Sequence, residues 1–487
     1  MKSFLWFVSS VLLGVPTLFG GSAGPDDLSA PAPKASPDIW HQNYLTGDWG
    51  ETRTKLEDQG VTFGFTYIGE ELSNVSGGRQ RGDIYEGRLN MELTLDFEKL
   101  ADFKGGSFYA NAYEIHGKDL SAGVIGNQLT VSNIEAYDTL RLYDLWYQQE
   151  WLDGKVSLRL GQLAADDEFI TTENGCTLIN GTFGWPALAG GNLYSGGPAY
   201  PLAAPGIRLK LAPIDQLYFM AAVFDGDPGD SAGTTNNPQK VDDTGTRVDF
   251  NQGTFSIFEL GYKLNQEKDS KGLPGTYKLG GWYDSFRRGD VWRDNSGLSL
   301  ANPASSGIAE MHPDNWGIYF VADQTIWKEP AQQDSSRKQD CDTRHETDES
   351  DDNNQGLGMF WRIGGVPQDR NNIAFYTDGG LSYTGAIPGR DDDITSFGVA
   401  YAQMSDDLAN FNRDTNAAAG ISGPVSSYEM DFEWTYEAVI VPWWKVQPDV
   451  QYIIHPGGGS VANPRDPSGQ TALTDAVVLG LRTVITF

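Results

Sequence analysis

The stretch Arg88-Leu89-Asn90-Met91-Glu92-Leu93-Thr94-Leu95-Asp96-Phe97 decides the fold. Leu89, Met91, Leu93, Leu95 and Phe97 fall on one side of an extended chain, and Arg88, Asn90, Glu92, Thr94 and Asp96 on the other. Successive side chains of a strand point to opposite faces, so this contrast marks a strand with an apolar medium on one side and water on the other. The alternation returns in Lys155 to Gly161, where Val156, Leu158 and Leu160 interleave with Lys155, Ser157 and Arg159. In Gly206 to Leu211, Ile207, Leu209 and Leu211 flank Arg208 and Lys210 in the same way.

Carried from Gly60 to the end, the period-two reading marks sixteen segments: roughly 62–71, 83–97, 107–116, 139–149, 155–164, 206–212, 215–225, 253–264, 275–287, 314–328, 356–366, 371–384, 394–404, 426–440, 443–455 and 473–487. Short links (Asp153-Gly154, Pro213-Ile214, Val441-Pro442) interleave with long ones (117–138, 165–205, 226–252, 288–313, 405–425, 456–472). A short link at 367–370 and a long acidic one at 329–355 break the rhythm. An even-stranded outer-membrane barrel has this asymmetry, with short periplasmic turns, long outer loops and both termini inside. The expected fold is therefore all-β: a 16-stranded antiparallel transmembrane β-barrel with a short N-terminal periplasmic helix.

Composition agrees. The 487 residues carry 35 Lys+Arg against 66 Asp+Glu, a net charge of −31, which excludes a nucleic-acid binder that works by phosphate neutralisation. Only 39% of residues are hydrophobic, yet 12% are aromatic and 58 are glycine. In a water-filled barrel only alternate residues meet lipid, so a membrane-embedded chain can be polar on average. Trp282, Tyr283, Trp316, Tyr319, Trp327, Trp434, Tyr436, Trp443, Trp444 and Tyr452 are read as interfacial girdles. His41, His116, His312, His345 and His455 never fall in a metal-ligand spacing, so neither a metal nor a cofactor is expected.

The ends point to export. Residues 1–23 read as a signal peptide: Lys2, an apolar run from Phe4 to Val15, then Gly21-Ser22-Ala23. Residues 24–45, with four prolines, read as a flexible linker, and 46–60 as an N-terminal helical segment. Within it the helix is expected over 49–59, with Asp48 as N-cap, Glu51 completing a capping box and Gly60 ending it. The barrel is then 61–487. Its close, Leu481 to Phe487, alternates and ends on an aromatic, as in the C-terminal signal read by outer-membrane assembly machinery.

From about Leu45 to Phe487 the chain resembles the carbohydrate-selective porins of the OprB type. The blocks that carry the resemblance are Leu45-Thr46-Gly47-Asp48-Trp49-Gly50-Glu51-Thr52-Arg53, Gly161 to Phe169, Thr182-Phe183-Gly184-Trp185-Pro186, Ser195 to Pro201 and Ala222 to Pro228. Gly364 to Asn371 and Ile387 to Asp393 complete the series, in the family's order. Two features depart from it. An acidic insert, 329–354, lengthens a periplasmic turn and reads as disordered. The chain also has no cell-wall-binding module ahead of the barrel, as some relatives carry. The turn assignment puts Cys176 in an outer loop and Cys341 in the periplasmic insert, so the two are expected unpaired.

The resemblance implies passive diffusion of small carbohydrates, monosaccharides such as glucose, through a lumen narrowed by an inward-folded loop, and no catalytic residue. The third long loop, 165–205, is the candidate to fold inward, bringing Asp166, Asp167 and Glu168. The facing wall offers Arg88, Asn90 and Glu92, then Asp144 and Trp146 with Gln148, then Arg159, Arg208 and Lys210. Sugars need hydrogen-bond donors and acceptors and an aromatic ring to stack on, and charged groups make the stronger hydrogen bonds. Binding must stay weak enough for transit. Two other readings stay open: a general or weakly cation-selective porin, and a secreted glycoside hydrolase built on some of the 66 acids. An outer-membrane lipase lacks support, with no His near a compelling Ser. The partners expected are small sugars, membrane lipid and assembly machinery at Phe487, with a homotrimer left open.

Overall fold

Strands form where the alternation predicts them. The computed structural model describes residues 38–230, 237–248, 250–267, 270–329 and 355–487. Among these, the chain runs β1 (Val61–Ser76), β2 (Gly82–Asp96), β3 (Gly106–Gly117), β4 (Thr139–Trp151), β5 (Val156–Leu163), β6 (Ala204–Ile214), β7 (Leu217–Asp225), β8 (Thr254–Leu264) and β9 (Gly275–Asp284). After β10 (Arg288–Asp294) and β11 (Ala309–His312) come β12 (Asn315–Lys328), β13 (Gly356–Gly365), β14 (Ile373–Thr384), β15 (Ile394–Met404), β16 (Tyr428–Val441), β17 (Trp444–Ile454) and β18 (Ala476–Thr486). Sixteen of these strands close into one antiparallel barrel, β1 pairing with β18 and β12 with β9. The remaining two, β10 and β11, form a separate hairpin inside the loop between β9 and β12. Closure leaves no strand edge unpaired, the condition for crossing a hydrocarbon layer with strands.

The distribution of polarity is inside out. Leu279, Ile318, Leu140, Phe258, Leu481 and Trp434 stand exposed on the outer wall, at 49–61%. Glu70, Asp144, Glu259, Arg362, Asp431 and Gln451 lie on the inner wall at 0–1%. In water this arrangement would expose apolar surface over the whole barrel and bury a large set of charges. In a membrane the outer face is matched to lipid and the inner charges pair with one another and with the loops. That placement removes the reading of a secreted hydrolase.

Several boundaries differ from the sequence reading. The N-terminal helix α1 spans Thr52–Asp58. It starts three residues late because Trp49, Gly50 and Glu51 all have positive φ. Asp48 still caps, accepting from the backbone N–H and hydroxyl of Thr54, whereas Glu51 pairs with Lys55 instead of closing a capping box. Phe97 has left β2 and opens a helical turn, whose first amides are capped by the Asp96 carboxylate. The β6–β7 turn is Asp215-Gln216 and the β16–β17 turn Pro442-Trp443, one or two residues beyond the expected links.

Two of the girdle aromatics face the other way. Trp282 and Tyr319 are 2% and 5% exposed and point into the barrel. Inner-wall glycines make the room: a Cβ at Gly317 would lie 2.6 Å from the Trp282 ring, and one at Gly280 2.2 Å from the Tyr319 ring. Tyr283, Trp316, Trp327 and Trp434 do face outward.

α1 sits at the end of the barrel where the short turns are. The Arg53 guanidinium donates to the main-chain oxygen of Phe487 at 2.7 Å and lies 3.7 Å and 4.3 Å from the Tyr44 and Trp49 rings. Leu45 N–H donates to Thr486 O, and the Trp443 indole to Ile39 O. The start of the described chain thus grips the last strand. The expected signal peptide, most of the linker (24–37) and all but the first residue of the acidic insert lie outside the described residues.

Candidate functional site: the lumen and its inward loop

Loop 164–203 departs from the end of β5 and turns into the barrel. Its apolar side chains pack against the inner wall: Phe169 and Ile170 among Tyr218, Phe255, Trp282 and Tyr319, and Leu178, Phe183 and Leu188 among Phe360, Tyr376 and Ala400. The lumen therefore contains an apolar core of its own along β7 to β15. Loop 118–138 also bends inward: Asn133 N–H donates to Ile179 O, and Gly181 N–H to Thr130 O.

Where the loop leaves β5, its acids meet the basic wall. Glu168 Oε2 accepts from Arg208 Nε at 2.8 Å and lies 3.3 Å from Arg159 Nη1. Burial alone would raise this carboxyl, but the Arg159 and Arg208 guanidiniums outweigh it and hold Glu168 down at about 2. The Gln148 side-chain oxygen accepts from both Arg159 and Arg208, closing the network across β4, β5 and β6. Arg159 also lies 3.8 Å over the Trp146 ring, which stacks on Tyr109 with centroids 5.1 Å apart. Asp166 accepts from the Tyr143 hydroxyl and from Tyr200 N–H, each at 3.0 Å. Tyr200 and Tyr113 in turn sit under the Arg88 guanidinium, at 5.0 Å and 4.6 Å. Burial pushes the Tyr200 hydroxyl up to about 12, so it stays a proton donor, here to Ile134 O.

The sequence-predicted residues on β2, β4, β5, β6 and the loop lie at two depths. Arg88, Trp146, Arg159, Asp166, Asp167 and Glu168 are partly open. Asn90 and Glu92 are 8% exposed and act within the wall: Asn90 accepts from the Asn111 amide, and Glu92 from the Tyr109 hydroxyl. Arg208, at 2%, braces Ser157, Gln148 and Glu168. Asp144 is sealed at 0%, so the expected convergence of Asp144, Trp146 and Gln148 on one solute is not formed. The reason is local. The β3–β4 register slips between Ala110 and Ala112, opposite Leu145 and Leu142, which breaks the alternation at Asp144.

Sequence reasoning missed the tyrosines. Tyr109, Asn111 and Tyr113 form the inner face of β3, and a period-two reading of 107–116 contains them. Tyr200 carries no such signal, because the loop's path brings it to the wall.

The cysteine expectation is overturned. Cys176 is disulfide-bonded. The chain's other cysteine, Cys341, lies outside the described residues. Assigning the two to opposite sides of the membrane treated 165–205 as an outer loop. Instead its middle descends through the barrel: Asn174 bonds to Asp323, and Gly175 lies beside Phe360, in β12 and β13, the strands that flank the insert.

The comparisons follow this geometry. Porin B of Pseudomonas aeruginosa is 25% identical over 458 residues, covering 90% of this chain and 92% of that protein. A protein described as putative porin QuiX, from Acinetobacter baylyi, is 22% identical over 448 residues, covering 86% and 91%. The high-pH structure of Pseudomonas putida OprB superimposes with a TM-score of 0.75 at 24% identity, covering 92% of this chain and 99% of that one, and shares the fold. The model of the carbohydrate-selective porin, OprB family, matches residues 80–487. With a closed barrel that is apolar outside and charged inside, this chain is an integral outer-membrane porin and belongs to the OprB family of carbohydrate-selective porins.

Proposed function

We propose that the barrel passes small neutral carbohydrates, monosaccharides such as glucose, by diffusion along the β2–β6 wall past the inward loop. The observation that carries this reading is the cluster of Arg159, Glu168 and Trp146. It supplies fixed donors, a fixed acceptor and an aromatic surface within one stretch of wall. A hydroxyl pair can take a hydrogen bond from one guanidinium edge and give one to a carboxylate, while the net charge of the cluster stays low. Arg159 covers part of the indole, so a sugar ring stacks on Trp146 only when the guanidinium swings aside. That competition suits a transit site, where binding has to remain weak.

Arg88, Arg159, Trp146 and the Asp166-Asp167-Glu168 run are assigned as solute contacts. Asn90, Glu92, Asp144 and Arg208 are assigned as braces behind them. Proteoliposome swelling with glucose, a disaccharide and a neutral amino acid of similar size tests the reading. Glucose is expected to enter fastest. Equal rates for glucose and the amino acid would favour a general porin. The net charge of −31 favours a mild cation preference in either case.

A further inference from the structure

The inward loop is held by its backbone, at sites that are separate from the solute-facing cluster. Asp323 of β12 accepts Glu173 N–H at 2.6 Å and Asn174 N–H at 3.1 Å, and also bonds the Asn174 side-chain amide. Glu433 of β16 accepts Ile179 N–H at 2.5 Å on one oxygen and Asn180 N–H at 2.9 Å on the other. Glu259 of β8 accepts Ile170 N–H at 3.1 Å. From β13, Arg362 donates to the carbonyls of Ile170, Thr182, Phe183 and Gly184, at 2.8–3.1 Å. All four side chains are buried, at 0–5% exposure. Each acts on main-chain atoms, so these contacts fix the path of residues 170–184 in addition to the packing of Ile170, Leu178 and Phe183.

From this geometry we infer that Asp323, Glu433, Glu259 and Arg362 are positioning residues for permeation: they set how far the loop stands off the far wall, and hence the bore left beside β2–β6. A carboxylate can accept two converging N–H groups at once. Glu433 takes its two N–H groups on separate oxygens, so a carboxamide there turns its NH2 toward one of them. Asp323 takes both backbone N–H groups on one oxygen, which a carboxamide would reproduce. Glu433→Gln keeps the side-chain shape but undoes that clamp, and Asp323→Ala removes the other acceptor. The loop is then freed at its middle and widens the path. The inference rests on the lumen being the solute path, and not on the path preferring sugars.

The test is the D323A/E433Q double variant, extracted as folded barrel and judged by heat-modifiable gel mobility. Single-channel conductance in 1 M KCl and proteoliposome swelling with glucose and with a trisaccharide are the readouts. Conductance is expected to rise about twofold or more, and the ratio of trisaccharide to glucose entry severalfold. Glu173→Ala, which removes a loop side chain and leaves its clamped N–H, is expected to keep the wild-type ratio. A folded variant with unchanged conductance and ratio overturns the inference, as does E173A widening the pore as much as the double variant. Should the double variant not fold, D323A and E433Q alone face the same criteria. If glucose and the amino acid enter wild type equally, the sugar preference fails while the size measurements still decide this inference.

Discussion

Replacing Glu168 with glutamine should cost stability that depends on pH in a specified way. The two guanidiniums hold its carboxyl at about 2, against an ordinary glutamate value of 4.5. At about 1.36 kcal/mol per tenfold change in the acid constant, that gap corresponds to roughly 3 kcal/mol. The side chain is 15% exposed, so residual screening trims the figure only modestly. Because the folded value lies below the unfolded one, the stabilisation is fully present above pH 4.5. It shrinks as pH falls through the interval and is nearly gone at pH 2. Urea titrations of E168Q and wild type in liposomes at pH 7, 5, 3 and 2, followed by tryptophan fluorescence, measure the difference. Wild type should lead by roughly 3 kcal/mol at pH 7 and 5, by about half that near pH 3, and by less than about 0.5 kcal/mol at pH 2. A difference that stays level from pH 7 to 2, or grows in acid, would refute the view that charge pairing with Arg159 and Arg208 holds this loop acid.

Three further outcomes follow from the same coordinates. Leu279→Arg places a charge on the outer wall in the middle of β9 and should reduce folding stability by about 2–4 kcal/mol. A null effect in a lipid-based folding titration would mean that this face does not meet hydrocarbon. Arg53→Ala removes a buried guanidinium that bonds Phe487 O and packs on two rings, and should cost about 2–4 kcal/mol while leaving conductance unchanged. Cys176 should resist alkylation in the folded barrel until a reductant is added, read as a mass shift on the peptide that contains it.

The barrel was legible because its physics is local. Lipid on one side and water on the other impose a period of two on every strand, and Arg88 to Phe97 shows that period without help from the rest of the chain. The failures occur where a non-local contact overrides the pattern. Trp282 reads as a girdle aromatic from its place near a strand end, but the empty space at Gly317 on the neighbouring strand draws it inward. Asp144 follows the expected alternation only if β3 and β4 pair without a slip, and they do not. The cysteine assignment failed although the loop was expected to fold inward, because it left Cys176 outside while the loop's middle reaches β12 and β13. The four wall clamps were the least visible. An acid on the inner face of a porin strand is ordinary, and its partner is a backbone N–H that no side-chain pattern encodes.

This difference in legibility has a physical consequence for how such a pore varies. Solute-facing residues such as Arg159 and Trp146 are read by their side chains, so changing one alters chemistry at one place. The loop's course is held by main-chain contacts to Asp323, Glu433 and Arg362 together with its apolar packing, so its exposed side chains can change while the bore stays constant. Size exclusion and chemical preference then rest on different atoms. A substitution that alters glucose affinity without changing trisaccharide exclusion belongs to the first set, and one that alters both exclusion and conductance belongs to the second. A lumen in which every substitution moved the two together would contradict that separation.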